Sequence, residues 1–115
     1  MNEDLHLEQF IGTEHWYRHF TGITYTDGIK YLADKTGSHW LIDLVASYQC
    51  KKKYREQPFQ VWILTVNKKD NTAVVRAEDG NGNVIGTQKI SYTDFPLPEI
   101  KLFFTDNVLM LTSEY

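Results

Sequence analysis

The sequence predicts an α+β fold of two layers, with N-terminal helices packed on a C-terminal antiparallel sheet of about five strands. Three observations carry this reading. Apolar residues recur at helical spacing before residue 56, the period changes to two after Pro58, and clusters of Asp, Asn and Gly punctuate the second half. The helical half covers about 4–50 and the strand-rich half about 57–113, within a single domain of 1–115. A chain of 115 residues matches the usual size of one domain.

Asp4 to Ile11 carries Leu5, Leu7, Phe10 and Ile11, which fits a short helix ended by Gly12. Thr13 can then cap a second short helix through His19, with Glu14 at its positive end. Ile23 to Thr26 is β-branched and aromatic and reads as a short strand. Asp27-Gly28 is a turn or a helix start, and Ile29 to Thr36, closed by Gly37, reads as a helix with a glycine stop. Two readings of 23–36 stay open. Tyr25-Thr26-Asp27-Gly28-Ile29 echoes Phe104-Thr105-Asp106-Asn107-Val108, so the segment is strand–turn–helix or a hairpin.

Ser38 to Gln49 is the clearest helix. Trp40, Leu41, Leu44, Val45 and Tyr48 form one stripe that must be buried. From Phe59 to Val66 both faces are apolar, which predicts a central strand covered on both sides. Asp70-Asn71 is a turn, Thr72 to Glu78 a strand, and Asp79-Gly80-Asn81-Gly82-Asn83 a hairpin signal. Val84 to Tyr92 follows as a strand with a bulge expected at Gly86. Pro96 and Pro98 break the ladder, and Ile100 to Phe104 with Val108 to Thr112 forms a last hairpin.

The charge is uneven. Twelve basic against fifteen acidic residues give a net −3, and four of the twelve lie in Lys51-Lys52-Lys53-Tyr54-Arg55. Without those four the remainder carries −7, unlike the broad basic face of a duplex-DNA binder. Cys50 is the single cysteine, which fits a reducing compartment. The acidic start Met1-Asn2-Glu3-Asp4 lacks the pattern of a secretory signal, and no apolar run approaches the ~20 residues of a membrane helix. The expectation is a soluble cytoplasmic protein that engages no membrane.

Several segments are distinctive: Gln9-Phe10-Ile11-Gly12-Thr13-Glu14-His15-Trp16-Tyr17-Arg18-His19, Tyr25-Thr26-Asp27-Gly28, Trp40-Leu41-Ile42-Asp43, Ala46-Ser47-Tyr48-Gln49 and Tyr92-Thr93-Asp94-Phe95-Pro96. Together they resemble a family of small bacterial proteins known as a domain of unknown function, over roughly Leu5 to Glu114. The resemblance implies a stand-alone domain carried by bacterial genomes, plasmids and other mobile elements. That setting favours a protein that binds and blocks a host protein, for example a defence nuclease. It assigns no role to any residue.

Catalytic and metal patterns are incomplete. His15 and His19 would share a face of the expected helix and could begin a metal site for a hydrolase, with His39, Asp27 or Asp43 as third ligand. The zinc-protease pattern needs Glu after the first His, and Trp16 stands there. His39, Asp43 and Ser47 recur every four residues, but the acid sits in the middle. On a helix the outer two are about 12 Å apart, beyond hydrogen-bond reach. Asp79 to Asn83 begins like a calcium loop, yet Val84 and Ile90 replace the required Gly and Glu. No glycine loop precedes a helix that could hold a phosphate, and no cofactor is expected. Cys50 has no second cysteine to complete a redox pair and reads as an ordinary thiol ending a helix.

The expected function is therefore binding without catalysis, with another protein as the main partner. Sixteen aromatics are generous for so small a core, and Trp16, Tyr17, Arg18 and Phe20 make the expected contact patch. The alternative is nucleic acid held by Lys51, Lys52, Lys53 and Arg55, with Tyr54 as a stacking ring. A homodimer through an edge strand such as Val108 to Thr112 is a further partner expectation.

Overall fold

The alternating pattern of the second half builds a seven-stranded sheet in the computed structural model, which describes residues 5–115. The strands are β1 (Trp16–Arg18), β2 (Thr24–Thr26), β3 (Phe59–Asn67), β4 (Thr72–Asp79), β5 (Val84–Ile90), β6 (Glu99–Thr105) and β7 (Val108–Leu111). Their order is β1-β2-β7-β6-β3-β4-β5. The helices are α1 (Asp27–Thr36), α2 (His39–Tyr48) and the single turn α3 (Lys52–Arg55).

The sheet is larger than the expected five strands because the N-terminal segment joins it. The helix expected from Thr13 to His19 is instead β1, antiparallel to β2 with Trp16 opposite Thr26 and Arg18 opposite Thr24. Aromatic and β-branched side chains favour this pairing, and Thr13 caps no helix of its own: its Oγ1 accepts from the backbone N–H of Asp27 at 2.9 Å. The helix expected from residue 4 shrinks to a 3-10 turn over Leu7–Gln9, and Asp4 itself lies outside the described residues.

The sheet is also not wholly antiparallel. β2 pairs with β7 in parallel, Thr24 beside Val108 and Tyr25 beside Leu109. This places β7 inside the sheet, so Val108–Leu111 is not an edge available to a second copy; β1 and β5 are the edges. The echo between 25–29 and 104–108 is not structural duplication. The first runs from β2 into α1, while the second is a hairpin turn with Asp106 and Asn107 at positive φ.

Thr26 starts α1 by accepting from the N–H of Ile29 at 3.3 Å, and Gly37 ends it at φ 67°. In α2 the buried residues are Leu41, Ile42, Val45 and Ala46, whereas Trp40, Leu44 and Tyr48 are half-buried. The buried stripe is thus one residue, about 100°, away from the expected one. Trp40, Leu44 and Tyr48 pack, partly buried, against the margin of the core.

The helices cover one sheet face. Gln60, Trp62, Leu64 and Val66 of β3 point into that layer, with Ala73, Val75 and Ala77 of β4 and Leu102 and Phe104 of β6 in register beside them. Phe59, Phe103 and Tyr115 cluster on the other face with ring centroids 5.0–5.4 Å apart. Among the described residues no helix covers that side of β3, whereas the sequence predicts cover on both. Ile63 is buried there between Arg76 and Lys101 of the neighbouring strands. The expected bulge in β5 falls at Ile85, beside Gly86, where the register with β4 slips.

Candidate functional site

The β1–β2 hairpin carries the expected contact patch, and the pleat divides it. Trp16 and Arg18 point away from the helices and are exposed, Trp16 by 60%. Tyr17 points the other way: its ring stacks on Tyr25 at 5.6 Å and its hydroxyl donates to Asp27 Oδ1 at 3.1 Å. Burial raises the Tyr17 phenol above its ordinary pKa, with Asp27 adding to the effect. Tyr17 is half-buried on the helix side, while Trp16, Arg18 and Phe20 are exposed.

Phe20 is 91% exposed at the hairpin tip, and the tip is held firmly. The buried His19 ring lies 4.4 Å from the Phe20 ring. Its Nε2 meets Asp43 Oδ1 of α2 at 2.7 Å, and its Nδ1 accepts from the backbone N–H of Thr21 at 3.2 Å. That second bond fixes the tautomer: Nε2 carries the hydrogen and donates to Asp43. The Thr21 hydroxyl also reaches Nδ1, at 2.8 Å. An acid, an imidazole and a hydroxyl are therefore aligned, a constellation that sequence reading missed because residues 19–21 and 43 are distant along the chain. Here Nδ1 already accepts a backbone N–H and Asp43 stands at the surface, so the chain of bonds works as a tie between hairpin and α2.

His15 and His19 do not converge. Across an extended stretch of four residues they stand about 13 Å apart. His15 faces Asp27 at 3.5 Å while His19 is committed to Asp43. His39 pairs with Asp34 at 2.9 Å, and the Ser47 hydroxyl donates to the Leu44 carbonyl, so the 39–43–47 spacing joins no side chains. Among the described residues no three His, Cys, Asp or Glu side chains gather as a metal ion would require.

Asp27 organises the ground below the hairpin. Its Oδ2 accepts from the backbone N–H groups of Glu14 and His15 at 3.0 and 3.3 Å. The Glu14 N–H is the chief cause that holds this carboxyl below its ordinary pKa, and the Tyr17 hydroxyl and the His15 N–H reinforce it. An open cleft of about 670 Å³ lies against it, lined by Phe10, Glu14, Tyr17, Lys30 and Tyr31.

The basic run follows α2 and includes α3. Lys51, Lys52, Lys53 and Arg55 are all exposed, but Tyr54 is only 3% exposed. Its ring packs on Trp62 and Tyr48, and its hydroxyl donates to the Ile85 carbonyl at 3.3 Å. Tyr54 is therefore a core anchor and offers no stacking surface. The run shows this in sequence as one aromatic among cations. A second cleft, about 560 Å³, lies between α3 and the tip of the β1–β2 hairpin and is lined by Thr21, Gly22, Gln49, Cys50, Arg55 and Asn107. Cys50 is exposed there, and its carbonyl accepts from the Arg55 guanidinium. Behind it Gln49 and Gln60 exchange amide hydrogen bonds at 2.8 and 3.0 Å, and the Trp62 indole donates to Gln60 at 2.9 Å. No helix among the described residues is long and apolar enough to cross a membrane.

These features define a two-layer α+β protein with an exposed aromatic hairpin and an exposed basic run. The chain belongs to DUF6876, a family of unknown function whose model matches residues 1–115. No curated protein and no solved structure matches it at a significant level.

Proposed function

We propose that the protein is a non-catalytic binding protein that acts on another protein through the β1–β2 hairpin. The observation that carries this reading is Phe20: a large apolar ring, 91% exposed, held out by the His19–Asp43–Thr21 tie. Full burial of such a side chain against a partner is worth about 2–3 kcal/mol, and its fixed position lowers the ordering cost. Trp16 and Arg18 extend the same surface, and both residue types are favoured at interface centres. In the bacterial mobile-element setting that the sequence resemblance implies, the partner would be a host protein such as a defence nuclease, and the protein would act in the cytoplasm.

The test is quantitative capture from the native host with wild-type bait against a Trp16→Ala/Phe20→Ala bait. Both positions are exposed, so circular dichroism should show an unchanged fold. A protein enriched by wild type and lost with the double variant supports the reading. Equal capture by both baits removes it.

The exposure of Lys51, Lys52, Lys53 and Arg55 supports nucleic acid as the second reading. Retention on single-stranded DNA at low salt, lost with Lys52→Ala/Lys53→Ala, is its test; flow-through of the wild type rejects it.

A further inference from the structure

The last strand of the sheet, β5, pairs with β4 on one side and, among the described residues, with no strand on the other. Apart from the Ile85 carbonyl, which accepts from Tyr54, the outward backbone donors and acceptors of Val84–Ile90 face no strand. Natural edges are guarded by prolines, lysines, bulges or cover. β5 has no proline and no acidic residue; its guards are the bulge at Ile85 and one charge, Lys89, a group that repels a basic strand and attracts an acidic one.

The surroundings of this edge are basic in a particular way. Tyr48 donates its hydroxyl to Gln88 Oε1 at 2.7 Å, and Tyr54 donates to the Ile85 carbonyl, so both rings touch β5 from the helix side. Lys51 Nζ stands 5.6 Å from the Tyr48 ring centre and Lys53 Nζ 5.7 Å from the Tyr54 ring centre. Two ammonium groups therefore lie over the rings that touch β5 on that face. Lys89, opposite Val74 in the register, flanks it on the other. Among the described residues none of these three lysines has a carboxylate within ion-pair distance, whereas Lys52 is paired with Glu56 at 3.7 Å.

We propose that β5 is a docking edge for an extended acidic segment of a protein partner, which would join the sheet as an added strand with its carboxylates beside Lys51, Lys53 and Lys89. Main-chain bonds supply the affinity in such an addition and alternate side chains the specificity. A second copy of the chain is disfavoured as occupant, because it would bring the same unpaired lysines face to face. The edge lies at the opposite end of the sheet from Trp16 and Phe20, so this inference goes beyond the hairpin reading and stands without it.

The experiment uses the full chain and a labelled seven-residue peptide of alternating glutamate and valine. Two control peptides carry N-methyl groups on alternate amides or lysine in place of glutamate. Anisotropy at low salt should show saturable binding of the first peptide below about 1 mM, a weak-complex affinity. Amide exchange should slow at Val84–Ile90. Both control peptides should fail, and Lys51→Glu/Lys53→Glu should weaken binding at least about fivefold, the scale of two or three exposed charge pairs. Trp16→Ala/Phe20→Ala should bind as wild type, which separates this edge from the hairpin surface. Equal binding of the N-methylated peptide would reduce the effect to bare charge attraction and overturn the proposal. Absence of saturation at millimolar peptide would overturn it too. Tighter binding of single-stranded DNA to the same lysines, or protection of β5 by self-association without peptide, would assign the edge to another occupant.

Discussion

Gly28 and Glu114 are 86 residues apart in sequence and share the first turn of α1: the Gly28 N–H donates to Glu114 Oε2 at 3.1 Å. The other carboxylate oxygen accepts from the Thr26 hydroxyl at 2.6 Å and from the Leu111 N–H at 2.9 Å. A carboxylate from the far end of the chain thus caps the positive end of the helix. A Cβ added at Gly28 would stand 2.6 Å from both Glu114 Oε1 and Leu111 Cδ1.

Gly28→Ala is therefore expected to destabilise the protein by about 1–3 kcal/mol, the usual cost of overpacking a filled site. Gly12→Ala is the control, since nothing lies within 4 Å of its Cβ position, and should shift stability by less than about 0.5 kcal/mol. Urea midpoints of the two variants check this; equal midpoints would show that the Glu114 turn swings away freely.

Tyr54 and Gly86 should be coupled. A Cβ at Gly86 would lie 1.9 Å from the Tyr54 Oη and 3.2 Å from its Cζ. Gly86→Ala alone should cost roughly 2 kcal/mol or more, whereas Gly86→Ala in a Tyr54→Phe background should cost measurably less. A double-mutant cycle in urea reads the difference, and strict additivity would contradict the close approach.

Asp27 sets an acid limit. Its carboxyl is held below the ordinary value in the fold, so it contributes stability that is fully present above the unfolded value near about pH 4. That contribution is lost as pH falls through the depressed folded value. Asp27→Asn should be less stable than wild type at pH 7, and the gap should narrow as pH drops below about 4. Asp34, Asp70 and Asp79 are lowered as well, so some acid sensitivity should persist in the variant. Urea midpoints across pH 2–7 provide the measurement.

The hairpin tie can be loosened selectively. His19→Ala removes the bond to Asp43 and the acceptor for the Thr21 N–H. Amides of 16–26 should then exchange about thirtyfold faster, as expected for two lost hydrogen bonds near 1 kcal/mol each. Amides of β3 and β6 should be unaffected, and uniform acceleration everywhere would argue for global loss of stability instead.

The sequence disclosed what local chemistry dictates. Gly37 after Ile29–Thr36, the Asp79–Asn83 turn and the period-two run from Phe59 all act within a few residues. It concealed what distant partners decide. Trp16–Arg18 is three residues long, too short to display a period, and becomes a strand because Thr24–Thr26 lies opposite. The parallel contact of β2 with β7 has no local signature. At the site, Trp16, Arg18 and Phe20 were legible as exposed aromatic and basic side chains. Tyr17 and Tyr54 were misplaced because one is turned inward by the pleat and the other is drawn under Gly86. The bonds from His19 to Asp43 and from Gly28 to Glu114 follow from packing and leave no mark in spacing.

The parallel pairing of β2 with β7 orders events during synthesis on the ribosome. The meander β3–β4–β5 joins neighbours in sequence and can close as soon as it emerges. The parallel partner of β2 and the carboxylate at the first turn of α1 come from Val108, Leu109 and Glu114, which leave the ribosome more than 80 residues later. Until then the segment bearing Trp16 and Phe20 lacks its place in the sheet, so the proposed partner surface is completed only after β7 has been made.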